Sequence, residues 1–442
     1  MPRMPDKFST RHYSRIATQE TFNRLKRHFV RGGWLGVQNR YAKNCTEKIE
    51  KDCPRRAPHR ITGPKKTQLA EYIAASVPLH CVDGWSFLGK AIISHAVGDI
   101  QACKHFAYYA QLRAVMSLLA SDGIGVFSAK HFSIVGANGK SSDIYGPISE
   151  KTHALVRKQF IDWLGRPDSG RLFQKIIRPN SITLETWFSE ISTAPLNYLA
   201  KDWLKHWGYD ITTLGIDQSA REHASYRPSG ILNDLSFRNS IQIRNSLGIV
   251  ENIWRMCSMN GTGGFVADTF LLRLSWEKYN NGQLSQSQIR KILTDLGISD
   301  PELTTLTQIF SRKTQQRDPM LIVEASKKGK TTDPDYHIQM LSRATLLLRL
   351  ATGAGMTMIE NARISRNDIK FWWETLGENY GLWEPGQVNP ISDMWIEVEE
   401  ALASMSSSSS SVNNHYQWRS NFATELLALS GCERIALSQL CL

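Results

Sequence analysis

Cysteine is scarce in this chain and carries no pattern. The seven (Cys45, Cys53, Cys81, Cys103, Cys257, Cys432, Cys441) are odd in number, scattered, and never spaced as Cys-x-x-Cys. That argues against a zinc ribbon and a disulfide framework and fits a reducing, cytoplasmic setting. Long apolar runs are missing as well, so no segment reads as a bilayer span and no membrane partner is expected. The first residues lack an apolar stretch followed by a small-residue cleavage site, the mark of a secretory leader. They are Arg-rich and acid-poor, as transit peptides are, but Pro2, Pro5 and Asp6 interrupt an amphipathic helix there. Strand composition is rare: Met320-Leu-Ile-Val-Glu-Ala325 is the one convincing run, and His131–Val135 reads as a short second one. Phosphate-loop glycines are absent too. Gly136-Ala-Asn-Gly-Lys-Ser has two residues where the Walker pattern needs four, and Gly261-Thr-Gly-Gly264 follows no strand. No cofactor is expected.

Acidic residues are what the first 66 positions lack. They hold 17 Lys and Arg against five Asp and Glu, an excess equal to the net charge of +12 of all 442 residues. Residues 67–442 are therefore balanced. A local excess of this size attracts a polyanion, because each basic side chain near a phosphate releases a condensed counterion. Nucleic acid, DNA or RNA, is the expected partner. Arg24, Lys26, Arg27, Arg31, Arg55, Arg56, Arg60, Lys65 and Lys66 are the expected contacts. The alternative is a solubilising basic arm without a ligand.

What is abundant is helical periodicity. We expect an all-α, multi-lobed protein with few or no strands: a basic arm over 1–66, a helical domain over 67–210 and a second over 211–403. A serine-rich linker over 404–414 and a C-terminal helix within 415–442 complete it. Helices are expected over 19–30, 67–77, 84–121, 149–164, 183–192, 195–208, 236–257, 264–280, 286–296, 301–312, 337–352, 366–376, 392–404 and 416–440. Segment 136–147 reads as a loop by its Gly, Asn, Ser and Pro content.

The densest polar patch lies on the most apolar helix. Tyr108, Leu112, Val115 and Leu119 form a buried stripe, and His105, Tyr109 and Arg113 follow at i, i+4 and i+8 on a neighbouring face. Polar groups on such a helix need partners, at about 1–3 kcal/mol each. Either these three hold or cleave a phosphodiester, or they form a polar network inside a helical bundle. A second patch, Arg221-Glu-His-Ala-Ser-Tyr-Arg-Pro-Ser-Gly230, reads as a loop presenting His223 and Arg227 to phosphate, or as a turn. Arg317 to Lys327 has the acids and lysine of metal-dependent nucleases, but Glu324 and Lys327 are one residue too far apart. His95, Asp99 and Cys103 share a helix face at metal-ligand spacing, although a core histidine beside an acid is the simpler reading, and no metal is expected. Trp203, Trp207, Trp372 and Trp373 read as core or as base-stacking rings.

Tyr108-Tyr109-Ala110, then Ser117-Leu118-Leu119, Gly123 and His131-Phe132, resemble the YaaC-like family over residues 67–135. That family is similar in turn to the HEPN superfamily of helical bundles. The resemblance implies a helical bundle and a ribonuclease or nucleotide-binding role in prokaryotic defence or toxin–antitoxin loci. HEPN nucleases use Arg, four to six residues, then His; no pair in this chain has that spacing. The leading expectation is thus a nucleic-acid-associated component of a prokaryotic antiviral defence or mobile-element system, acting with protein partner subunits. A metal-independent ribonuclease with His105, Tyr109, Arg113 and His131 as its site is one alternative. A helical scaffold without catalysis is the other.

Overall fold

The computed structural model describes residues 15–29, 59–61, 64–127, 130–137, 141–190, 198–226, 240–258, 264–280, 284–312, 318–365, 367–369, 374, 377–378, 381–383, 390–409, 412 and 414–441. Within them the protein is predominantly α-helical, as expected, with 18 α-helices and one small antiparallel sheet. The chain opens with α1 (Arg15–Phe29) and β1 (His59–Ile61), then two long helices, α2 (Pro64–Ala96) and α3 (Ile100–Ser121). Strands β2 (Ile124–Gly125), β3 (His131–Ala137) and β4 (Ser141–Ile148) follow, then α4 (Thr152–Leu164), α5 (Pro167–Ile176), α6 (Leu184–Ser189) and α7 (Ala200–His206). The central part holds α8 (Thr213–Tyr226), α9 (Ser240–Cys257), α10 (Val266–Asn280), α11 (Gln286–Asp295), α12 (Glu302–Phe310) and α13 (Met320–Ser326). Last come α14 (Tyr336–Asn361), α15 (Pro390–Ser407), α16 (His415–Asn421), α17 (Ala423–Ser430) and α18 (Glu433–Cys441).

Helices α2, α3 and α14 pack together at the centre. The expected break after residue 77 does not occur: α2 runs through Pro78 and reaches about 50 Å. It ends where Gly98 takes a left-handed φ of 85° and Asp99 caps α3 by accepting the Ala102 N–H at 3.0 Å. Helix α14 is buried on almost every face from Tyr336 to Gly355, because its sequence is apolar nearly all round. Its polar residues are therefore paired inside. Arg343 and Asp217 are both fully buried and joined by two hydrogen bonds, at 2.7 and 2.9 Å. Gln111 and the Tyr336 hydroxyl also donate to Asp217, at 2.9 and 2.7 Å, so one carboxylate ties α3, α8 and α14. Nearly two turns along α14, Arg349 holds Asp268 of α10 in the same two-pronged way while lying 4.3 Å from the Phe265 ring.

The sheet has the order β1-β4-β3-β2, all neighbours antiparallel. Ile61 faces Ile144, Ile134 faces Ile144 from the other side, and Phe132 and Ile134 complete the inner surface. That surface packs on Leu69, Ala70 and Ile73 of α2 and on Ala17 of α1 in a small separate core. The expected strand at 131–135 is present. The expected loop over 136–147 is largely strand instead, because its alternating Ile144 and Gly146 fit the pleat. The expected strand at 320–325 is helix α13, burying Leu321, Ile322 and Ala325 on one side.

Two expectations about loose segments are corrected. Residues 15–29 are not a free arm: Ala17, Phe22 and Leu25 are buried, and Arg15 pairs with Asp122 at 2.7 Å. The serines do not interrupt the chain at 404. Helix α15 continues to Ser407, and Ser409 is buried. Beyond them stand three short helices rather than one. Leu426, Leu429, Cys432, Ile435 and Leu437 join the same core as α2, α9 and α14, which also contains residues from both sides of position 210. Trp254 donates to the Leu429 carbonyl at 3.1 Å, Trp418 donates to the Ala96 carbonyl at 3.1 Å, and Arg434 pairs with Glu397. At Gly89 a side chain would meet the Ser430 carbonyl, so the glycine permits this close approach.

Candidate functional site

The polar patch of α3 finds its partners at an edge where α3 meets α4, α8 and α2. Asp217 anchors α8, and Arg221 and Ser225 follow one and two turns later, so the buried carboxylate fixes the rotation that delivers both. The Arg221 guanidinium lies 5.3 Å from the Tyr108 ring and 5.6 Å from the Tyr109 ring. His153, from the first turn of α4, stands between them. Its Nε2 receives a hydrogen bond from Arg221 at 3.3 Å, and its Nδ1 meets the Tyr108 hydroxyl at 2.8 Å. Arginine only donates, so Nε2 carries no proton and His153 is the neutral Nδ1–H tautomer that donates to Tyr108. Burial and then the Arg221 charge hold His153 below its ordinary pKa, in agreement.

His105 is half-buried, with Nδ1 2.8 Å from the Ser225 hydroxyl and its ring 5.0 Å from that of Tyr109. Burial, followed by Arg221, lowers its pKa too, so the imidazole is neutral and basic at pH 7. Phe87 of α2 stacks on Tyr109 at 5.4 Å and supports the ring from behind. The Tyr108 hydroxyl is pushed up by burial and stays protonated. At the end of α8, His223 is exposed and Tyr226 is 76 % exposed. The cluster thus gathers two neutral imidazoles, one guanidinium and two tyrosine rings, of which Arg221 and Tyr108 are buried and His105 and Tyr109 half-buried.

Of the four expected catalytic residues, His105 and Tyr109 meet here. Arg113 lies one turn further along α3, donating to His80 Nδ1 at 3.0 Å with Asp83 at 3.7 Å. His131 is elsewhere: it is fully buried in β3, its Nδ1 accepts the Phe127 N–H at 3.1 Å, and its Nε2 bonds the Glu150 carbonyl at 2.9 Å. One ring nitrogen holds the loop before β3 and the other the segment after β4, which is a structural task. The expected loop around 221 is helix up to Tyr226, so His223 sits on a helix, and Arg227 lies outside the described residues. Sequence reasoning missed His153 altogether. Nothing local marks it, whereas the spacing of Asp217, Arg221 and Ser225 at i, i+4, i+8 signals the helix that carries the other two.

The expected nucleic-acid contacts are partly accounted for. Arg24 is exposed on α1, and Arg60 and Lys66 share Asp143, at 2.8 and 2.9 Å. Arg31, Arg55 and Arg56 lie outside the described residues, as do Trp372 and Trp373, and the side chains of Lys26, Arg27 and Lys65 do as well. Trp203 and Trp207 are fully buried in the core. Among the described residues no group of His, Cys, Asp and Glu is arranged to hold a metal. Asp99 caps α3, and His95 bonds His337 instead. No described helix is long and apolar enough to cross a membrane. No protein-family model matches the chain, and no curated protein and no solved structure is significantly similar to it.

Proposed function

We propose that the protein binds single-stranded nucleic acid, RNA foremost, along the edge formed by Tyr109, His105, His223 and Tyr226. The observation that carries this reading is Tyr226, a large aromatic ring 76 % exposed one turn after the exposed His223 on the same helix. Aromatic faces stack on bases without regard to sequence, and cations nearby track the phosphates. The basic excess of residues 1–66 raises the local concentration of the polyanion and supports the same reading. A place in a prokaryotic defence or mobile-element system, with partner subunits, follows from the resemblance of the Tyr108-Tyr109 helix alone. The test is fluorescence anisotropy with labelled single-stranded RNA and DNA over a range of salt. Tyr226→Ala is expected to weaken binding by about 1–3 kcal/mol, the worth of one stacked base. Binding unchanged in Tyr226→Ala and in His223→Ala would overturn the reading.

A second reading is favoured by the depressed pKa of half-buried His105. A neutral imidazole accepts the proton of a ribose 2′-hydroxyl as that oxygen attacks the adjacent phosphorus. The 5′-oxygen leaves, taking a proton from water, and a 2′,3′-cyclic phosphate remains. The contact of Arg221 with His153, 3.3 Å apart beside Tyr108, supports this reading by adding a second polar pair near His105. Cleavage of RNA into cyclic-phosphate ends, lost in His105→Ala with its thermal stability unchanged, is the expected result. Absence of any cleavage by the wild-type protein removes this reading and leaves the binding proposal standing.

A further inference from the structure

Beside the edge just described, but on another face of α3, lies a cavity of about 530 Å³. Four helices and one loop build it: the end of α2, the first turns of α3 and α14, the second and third turns of α9, and residues 332–335. Lys104 lines it, and its ammonium is held at 3.1 Å by the Thr331 carbonyl. His105, the next residue, faces Ser225, so the two sites diverge from one helix turn.

Three kinds of chemistry meet in the cavity. The first is positive. Lys104 is joined by the N-terminus of α14, whose dipole favours an anion, while that of α3 is capped by Asp99. His95 and His337 add an imidazole pair, with His95 Nδ1 3.0 Å from His337 Nε2. The Pro334 carbonyl accepts from His337 Nδ1 at 3.0 Å, so in the neutral pair His95 Nδ1 donates to His337 Nε2. The second is apolar: Ile100, Ile249 and Ile338 supply flat hydrocarbon surface. The third is acidic: Asp333 and Asp335 sit on the loop, Asp333 accepting the Lys330 N–H at 2.7 Å. An isolated phosphate needs only the first, and an apolar ligand only the second.

We infer that this cavity binds a nucleoside monophosphate. The phosphate meets Lys104 and the N-terminus of α14. The base lies against the isoleucines, with the amides of Asn245 and Gln101 for its polar edge. The ribose hydroxyls donate to the carboxylates of the loop, the interaction by which acidic residues select ribose elsewhere. The volume lies within the range of pockets that hold small ligands. The site is independent of the nucleic-acid edge.

Isothermal titration calorimetry of the full chain with AMP, UMP, ribose 5-phosphate and inorganic phosphate tests this. AMP or UMP is expected to bind saturably below about 1 mM and more tightly than ribose 5-phosphate or phosphate. Lys104→Gln is expected to raise the Kd roughly tenfold, by loss of the charge-assisted contact. Asn245 is exposed at the mouth, so Asn245→Trp fills the cavity without disturbing the core and abolishes binding. His105→Ala and Tyr226→Ala are expected to leave nucleotide binding unchanged, which separates this site from the proposed edge. No saturable binding of either nucleotide by the wild-type protein overturns the inference. Equal affinity for inorganic phosphate overturns the nucleotide assignment. Wild-type affinity in both Lys104→Gln and Asn245→Trp overturns the location.

Discussion

Asp217→Ala removes the carboxylate on which three helices converge. Four hydrogen bonds end on it: two from Arg343, one from Gln111 and one from Tyr336, all between 2.7 and 2.9 Å. Both charged partners are completely buried. Without Asp217 the Arg343 guanidinium is a buried charge with no counter-ion, and water cannot reach it. Breaking a buried pair from one side costs about 3–5 kcal/mol, most of it the desolvation of the charge left behind. The pair itself is worth much less, because the gain in attraction offsets the loss of hydration. The double variant Asp217→Leu with Arg343→Met is therefore expected to be more stable than Asp217→Ala alone. Urea unfolding followed by tryptophan fluorescence measures both, since Trp163, Trp203 and Trp207 are fully buried reporters. A loss under about 1 kcal/mol in Asp217→Ala, or a double variant as unstable as the two single changes added, would refute the reasoning. Because α8 also carries Arg221 and Ser225, Asp217→Asn is expected to weaken nucleic-acid binding as well as stability.

Further expectations concern pH, the C-terminal helices and β3. Burial, chiefly, lowers the pKa of His80, His105, His153 and His206. The unfolded chain, with histidines near about 6.5, therefore binds more protons than the folded one as pH falls through that value. Stability is lost on acidification from pH 7 toward 5, and melting temperature against pH measures it. His80→Gln is expected to flatten that slope; an unchanged slope counts against His80. Gly89→Ala places a methyl group on the Ser430 carbonyl and is expected to loosen α17, read as faster amide exchange over 423–430 with α4 unaffected. A protease site inserted after Ser408 and cut is expected to leave residues 414–441 co-eluting with the body, because nine of their apolar side chains lie in the shared core; separation without denaturant would show the docking to be weak. His131→Ala breaks two bonds, one to the loop before β3 and one to the segment after β4. It is expected to lower stability by about 1–3 kcal/mol while nucleic-acid binding persists.

The sequence alone determined the helical class, the concentration of charge in the first 66 residues, and the apolar helix that carries His105, Tyr108 and Tyr109. These are local properties: periodicity, composition and spacing act over a few turns. Tertiary structure decided which polar residues face one another. His153 and Arg221 are 68 positions apart and meet only because Asp217 seats α8 against α3 and α14. Arg113 shares a sequence face with Tyr109 yet pairs with His80, since α2 passes closer there than any other element. Segment 320–325 is β-prone by composition but helical in place, because packing of one apolar face outweighs intrinsic preference. Segment 136–147 has the residues of a loop, and its pairing with β1 and β3 draws residues 141–148 into a strand. Burial is a property of the whole chain, and no window of ten residues contains it.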